Sequence, residues 1–422
     1  MKTGKRVVIC GAGFGGLLTA LRLYKCAPEL DVVLIDRSSN HVYKPWLYDV
    51  ATSMLVDAER RDVVELSRSA IFSIPNVLEA NRAKNVRFRK ASIEGVDTAT
   101  KHVLLSDGKT IAYDVLVLAL GAQVNYFGIQ GMEKHSQRMV SVEDAMDVRS
   151  SIEAMLRRVH EKKQQRCTTV IVGAGPTGTE MAAELANFLK RCDRSGLHLC
   201  HACRIILMDA GERVLGPFSL ATKTLAERRL DRLGVEIHVG TLVTHVDDKL
   251  IHAQVAKTGE ELTVPYDTLI WAGGVRPNAL LTALSLPLSR YGRLDVDKSL
   301  RVRGREDVFA LGDCAAFVDT KNRELPQTAW AAIEASRVVA RNVHATFAAT
   351  ALQPYKPYKN WPAIITVGGE RAVAQLWGIV FFGRLAFCLR RLVDLRYFLK
   401  ILPVGQAIRT WRRGIFMLSK ND

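Results

Sequence analysis

The sequence predicts an α/β chain built from two halves of one design, followed by a C-terminal amphipathic helical segment. Three observations predict it. A Gly-rich turn lies between an apolar run and a helix-spaced run twice; each copy leads to a second apolar run ending in Asp; and the last eighth of the chain concentrates positive charge among apolar residues. At 422 residues the chain is too long for one core, and about 150 residues per domain gives two or three. A single small binding module is thereby excluded. With 48% hydrophobic and 24% charged residues, only 13 Pro and no low-complexity tract, a disordered scaffold is excluded too.

The first half opens with the β-branched run Lys5 to Ile9, then Gly11-Ala12-Gly13-Phe14-Gly15-Gly16, then Leu17 to Tyr24 with helical apolar spacing. The run Val32 to Ile35 ends at Asp36. This is strand, turn, helix and strand, closed by an acid at the spacing of a dinucleotide-binding unit. The same grammar returns in Thr168 to Val172, Gly173-Ala174-Gly175-Pro176-Thr177-Gly178, Thr179 to Leu189, and Arg204 to Met208 ending at Asp209. One such turn is a weak signal, whereas two with the same flanking grammar identify two Rossmann-like dinucleotide-binding domains.

The chemistry follows from the missing side chains. Backbone N–H groups at a helix N-terminus can approach a pyrophosphate only where no Cβ intervenes. The terminal acid accepts hydrogen bonds from ribose hydroxyls and repels a 2′-phosphate, while Arg213, near Asp209, could tolerate such a phosphate. Two further runs, Asp114 to Gly121-Ala122 and Asp267 to Gly273-Gly274, end in short turns placed as paired exits from the two halves. Gly312-Asp313 precedes a helix expected from about Pro326 to Thr346, where the acid reads equally as a helix cap or a cofactor contact. The expected division is 1–122 and 289–350 for the first domain in two parts, 123–288 for the inserted second domain, and 351–422 for the C-terminal segment.

That last segment carries ten basic residues against Asp394 and Asp422 from Arg371 onward, half of the chain's net +16. Ile379 to Phe382, Leu385, Phe387, Leu389, Leu392, Val393, Phe398 and Leu402 alternate with Arg384, Arg390, Arg391, Arg396 and Lys400, which predicts a helix with one apolar and one basic face. The alternative is an ordinary helix covering the core. The uncharged window Ala372 to Gly383 is far short of the ~20 residues a spanning helix needs, so a peripheral, monotopic association with an anionic membrane surface is expected. The charge pattern favours lipid over nucleic acid. No signal peptide is expected. Of the eight cysteines, Cys10, Cys26 and Cys314 sit in apolar or Gly-rich surroundings that predict reduced, packed thiols, and no disulfide framework is expected. Cys192, His198, Cys200, His201 and Cys203 form a cluster too irregular to be assigned a metal.

The sequence resembles the two-dinucleotide-binding-domain flavoproteins and, within them, the type II NADH:quinone oxidoreductases. The resemblance rests on His41-Val42-Tyr43-Lys44-Pro45-Trp46-Leu47-Tyr48-Asp49-Val50-Ala51-Thr52, Gly175-Pro176-Thr177-Gly178-Thr179-Glu180, Trp271-Ala272-Gly273-Gly274-Val275-Arg276 and Pro326-Gln327-Thr328-Ala329-Trp330-Ala331, and covers nearly the whole chain. It implies FAD at the first turn, NADH at the second, hydride transfer between them, and electrons passed to a quinone or another small acceptor by a homodimer on the cytoplasmic or matrix side of a membrane. The implied FAD contacts are Gly11, Gly13, Phe14, Gly15, Gly16, Asp36, Arg37, Pro45, Gly121, Ala122, Gly312 and Asp313, with Ala329 and Trp330 at the ring end. The implied NADH contacts are Gly173, Gly175, Pro176, Thr177, Gly178, Asp209 and Gly273, with Glu180 as the catalytic candidate near both rings; its alternative is a first-turn glutamate favoured by the helix dipole. The family pattern Ala-Gln-x-Ala-x-Gln is broken here by Trp330 and Glu334, and a customary cation before the last helices is Val380.

Two rivals share the fold. A soluble ferredoxin- or rubredoxin-type reductase would also suit the charge, and a non-respiratory flavin- and NADH-binding sensor would need no acceptor. Disulfide reductases and sulfide:quinone oxidoreductases require flavin-facing cysteines, and Asn40 to Thr52 contains none.

Overall fold

The apolar run Arg6–Cys10 (β1) is buried beyond its first residue, because a parallel strand at the centre of a sheet is covered on both faces. The structure, a computed structural model, describes residues 4–53, 67–194, 201–318 and 324–419. Helix α1 (Phe14–Cys26) returns the chain to strand β2 (Asp31–Asp36), which pairs parallel to β1 with Val7 opposite Val32. After the short helix α2 (Leu47–Thr52), strands β3 (Val86–Lys90) and β4 (Val115–Leu118) join the same sheet. With β15 (Val308–Ala310) the order is β15-β4-β1-β2-β3. Chain direction across the sheet reverses at β1, which leaves a crevice at the carboxyl ends of β1 and β4.

The second half repeats the plan. Strand β5 (Ala122–Val124) leaves the first sheet, and β6 (Gln137–Arg138), helix α3 (Val142–His160), β7 (Cys167–Val172), helix α4 (Pro176–Arg194), β8 (Cys203–Asp209), helix α5 (Leu220–Leu233) and β9 (Glu236–Val239) follow. Strands β10 (Thr241–Val246), β11 (Leu250–Val255) and β12 (Glu261–Pro265) form an antiparallel side sheet before β13 (Thr268–Trp271) closes the order β6-β13-β7-β8-β9. Both sheets are even tied at their amino ends in the same way: Asp114 accepts from the Arg6 N–H at 2.6 Å and Asp267 from the Thr168 N–H at 2.8 Å. The two exit segments do pair, since β5 runs antiparallel to β14 (Val275–Pro277) with Gln123 opposite Arg276.

Helix α6 (Ala329–Phe347) begins at its cap Thr328, whose hydroxyl accepts from the Ala331 N–H, and packs on α1. A third sheet then forms from β16 (Ala363–Thr366), β17 (Ala372–Leu376) and β18 (Ile379–Gly383), followed by helices α7 (Arg384–Ile401) and α8 (Val404–Ser419). Here the sequence expectation needs correction. Ile379 to Phe382 lie in a strand, because the Trp377-Gly378 pair, both at positive φ, turns the chain back on β17 as a hairpin. The basic face of α7 is also not what the alternation predicts: Arg390 and Arg391 are buried, and so is Asp394.

Candidate functional site

The two Gly-rich turns superpose in chemistry. Gly11 and Gly173 have φ of 103° and 110°, a conformation that needs no Cβ, and a Cβ on Gly16 or Gly178 would collide with the carbonyl oxygen of Gly11 or Gly173. Gly13 and Gly175 face open space, with nothing within 4 Å of where a Cβ would be. Gly13 caps α1 without any side-chain acceptor, so the first N–H groups of that helix are left for an outside anion. These features fit a pyrophosphate at each turn.

The acids do more than the sequence suggests. Asp36 Oδ2 accepts from the Ala12 N–H at 2.7 Å and its Oδ1 from the Ser38 N–H at 2.8 Å. Asp209 does the same with Ala174 at 2.6 Å and Gly211 at 2.6 Å. Each carboxylate therefore locks its own turn and keeps a further lone pair on each oxygen for a ribose hydroxyl. Arg213 is engaged elsewhere: its guanidinium pairs with Glu227 and reaches Thr224 at 3.1 Å.

Gly11 to Gly16, Asp36, Gly121-Ala122 and Gly312-Asp313 all follow carboxyl ends of the first sheet, and Gly173 to Gly178, Asp209 and Gly273 those of the second. Arg37 is exposed beside Asp36, and Pro176 and Thr177 are exposed at the start of α4. Gly273 lies flat against the Trp271 indole, where a Cβ would overlap the ring. Burial raises the Asp313 carboxyl above its usual range, against the pull of Lys44 and Arg293. Phe14 does not stand free in the crevice; it packs against His41 and Tyr397 at ring separations of 5.1 and 5.0 Å.

That contact opens a network no local pattern predicts. His41 Nδ1 lies 3.0 Å from the Ala12 carbonyl oxygen, inside the first Gly-rich turn, and its Nε2 lies 2.7 Å from the Tyr397 hydroxyl on α7. Burial lowers the His41 pKa to about 4, so the ring is neutral: Nδ1–H donates to Ala12 and Nε2 accepts from Tyr397. Tyr43 stacks on Tyr397 and donates to Asp394 Oδ1 at 2.6 Å, while Trp46 Nε1 donates to Asp394 Oδ2 at 3.1 Å. Asp394 also pairs with Arg390, and with Arg391 at 3.6 Å; Arg391 in turn lies 4.0 Å from Asp49. Asp394 and Tyr43 keep the Arg390 guanidinium charged in spite of burial. Gly414 of α8 lies on the Trp46 ring, where any Cβ would overlap the indole. Residues 41–49 are thus the socket into which the C-terminal helices dock.

Glu180, in the first turn of α4, faces the same socket. Burial pushes its carboxyl up to about 8, against the pull of Arg390 and a hydrogen bond from the Thr366 N–H at 3.4 Å. It is a neutral acid near pH 7, which a first-turn glutamate stabilised as an anion by the helix dipole would not be. Of the cysteine cluster, Cys192 and Cys203 are buried, and His198 and Cys200 lie outside the described residues.

Known proteins of similar sequence and fold give the family. The model of the pyridine nucleotide-disulphide oxidoreductase family matches residues 5–336. A type II NADH:quinone oxidoreductase of Mycobacterium tuberculosis, NdhA, is 31% identical over 96% of this chain and 86% of its own length. This chain belongs to the type II NADH:quinone oxidoreductase family. Its relative of that name in Staphylococcus aureus is 27% identical over 96% of this chain and 98% of its own. The solved NDH2 of Plasmodium falciparum in complex with NADH shares the fold, with a TM-score of 0.83 at 20% identity and 98% coverage of both chains.

Where the family pattern has two Gln residues, the structure joins Trp330 and Glu334 through one cation of α7. Arg396 lies 4.9 Å over the Trp330 ring and 3.5 Å from Glu334 Oε1. The sequence reading noted the two departures but not the residue that connects them.

Proposed function

We propose that this oxidoreductase binds FAD at Gly11–Gly16 and NADH at Gly173–Gly178 and reduces a quinone at a membrane surface. The observation that carries the proposal is the pair of carboxylate-locked turns, each with open space where a Cβ of Gly13 or Gly175 would stand, on two separate parallel sheets. Bound there, the two coenzymes supply hydride transfer from nicotinamide to flavin and the electrons for the quinone. The chain's part is orientation and proton handling. Asp36 and Asp209 hold ribose hydroxyls, and Gly121-Ala122 and Gly312-Asp313 line the flavin crevice, with Pro45, Ala329 and Trp330 toward the ring end. Glu180 holds a proton near neutral pH, beside Arg390 and Thr366, where a reduced acceptor needs one. With Arg213 paired to Glu227 and no ion pair at Asp209 among the described residues, a 2′-phosphate would meet the Asp209 carboxylate, which favours NADH over NADPH.

The membrane reading is supported by what the C-terminal unit exposes. Trp377 at the hairpin tip is 67% exposed, and Ile379, Leu385, Leu392, Leu399 and Val404 are exposed with Arg384 and Arg396 among them. Among the described residues no helix is long and apolar enough to cross a membrane. The third unit, 351–422, therefore serves as a surface anchor; the division 1–122, 123–288 and 289–350 assigns the rest to flavin and NADH.

The test is optical. Purified protein should carry a flavin spectrum that bleaches with NADH and recovers with a soluble quinone faster than with oxygen or ferricyanide. A preparation that stays colourless after FAD is added would overturn the reading. Flotation with anionic vesicles tests the surface, and light scattering in detergent tests the homodimer.

A further inference from the structure

None of the residues discussed so far lies on the side sheet β10–β12, yet it carries the tightest group of imidazole and carboxylate donors among the described residues. The register of the β10–β11 hairpin, just past an irregularity after Val243, sets His245 directly opposite His252. Directly opposed residues project from one face. The two rings stack, with centroids 3.9 Å apart and planes 6° apart. Asp247 follows at the mouth of the turn, where its N–H donates to the Leu250 carbonyl at 2.9 Å. Its Oδ2 lies 3.1 Å from His252 Nε2 and 3.9 Å from His245 Nε2.

These separations have a chemical meaning. Zinc bonds of about 2.0–2.2 Å in tetrahedral geometry hold ligand atoms roughly 3.3–3.5 Å apart. The two distances bracket that value, so the spacing to Asp247 suits an ion; because parallel rings hold their lone pairs in parallel planes, one imidazole must turn about its Cβ–Cγ bond for both to meet it, and the exposure of both rings leaves room for that turn. The backbone behind the donors is held: the Tyr266 hydroxyl donates to the Asp247 carbonyl at 2.7 Å and the Thr244 hydroxyl to the His252 carbonyl at 3.1 Å. Asp248, 3.9 Å from His135, adds negative charge beside the group. The side chains of His245, His252 and Asp247 are 44%, 29% and 62% exposed, which leaves an ion free to enter.

We propose that His245, Asp247 and His252 form a binding site for a divalent transition metal, with Zn2+ the best match to two imidazoles and one carboxylate and water in the fourth position. The all-oxygen preference of Ca2+ and Mg2+ sets them aside. The ion ties β10 to β11 and takes no part in electron transfer.

The experiment titrates chelator-treated, FAD-loaded protein with Zn2+ alone, read by calorimetry and by the thermal midpoint. One equivalent should bind and raise the midpoint. His252→Ala and Asp247→Asn, both accessible positions, should each weaken binding by more than about tenfold, since even groups that only support ligands are worth about 10–100-fold. Flavin content and bleaching by NADH should be unchanged in both. Absence of binding to the unmodified protein, an affinity in either variant equal to that of the unmodified protein, or displacement by millimolar Mg2+ would each overturn the assignment.

Discussion

The first and second Gly-rich turns are chemically the same object in different surroundings. In both, the first Gly donates its N–H to the strand carrying the acid, Gly11 to Ile35 at 2.8 Å and Gly173 to Met208 at 2.7 Å, and the acid closes the turn through the Ala N–H. What differs is the lid. The first turn is bound by His41 and Tyr397 to a helix more than 350 residues away in sequence, whereas the second opens onto exposed Pro176 and Thr177. A coenzyme that stays through many turnovers suits the turn tied to α7, and one that exchanges at every turnover suits the untied one.

Substitutions can break or sharpen this contrast. Gly13→Val puts a branched side chain where the first pyrophosphate lies and should abolish flavin content, measured as absorbance per chain. Gly175→Val should keep the flavin and abolish its bleaching by NADH. Loss of flavin in both would mean that the turns are not separately assigned.

Asp394→Ala should have the next largest effect. It strands Arg390 and Arg391 in the interior, and removing one partner of a buried ionic group costs about 3–5 kcal/mol. The thermal midpoint should fall, with flavin release at or before unfolding, because His41 and Tyr397 bond the socket directly to the first turn.

Asp209→Ala should raise the KM for NADH about 10- to 100-fold with flavin retained, since a hydrogen bond to a charged group is worth about 1.5–3 kcal/mol. Tyr397→Phe leaves His41 Nε2 without its donor, at about 1–3 kcal/mol. It should weaken FAD retention while leaving the KM for NADH unaltered, and the reverse pattern would contradict the lid.

Glu180→Gln should have the smallest effect on stability and a visible one on pH dependence. Because the folded chain holds this proton more tightly than the unfolded one, its stabilising contribution is full below about pH 4.3, fades as pH rises, and is gone above about 8. The glutamine variant should lose that slope, together with any break near pH 8 in quinone reduction.

Much of this was legible from local patterns. The turns, their acids, the strands and helices that flank them and the exits through Gly121 and Gly273 each depend on residues close in sequence, where spacing and Gly placement reflect backbone geometry directly. The C-terminal segment was misread for a specific reason. Counting charges put Arg390 and Arg391 on a basic face, when the one acid between Arg371 and the last residue, Asp394, was the sign that this helix carries its own counter-ion inward.

The sequence by itself determined two glycine-lined turns with their carboxylates, because strand, turn and helix are decided by neighbours within a few residues. Only the tertiary structure decided which turn is tied to α7, that burial raises the Glu180 carboxyl, and that His41, Tyr43 and Trp46 receive α7 and α8. Those outcomes depend on burial and on polar partners hundreds of residues apart, and neither is encoded in any local spacing.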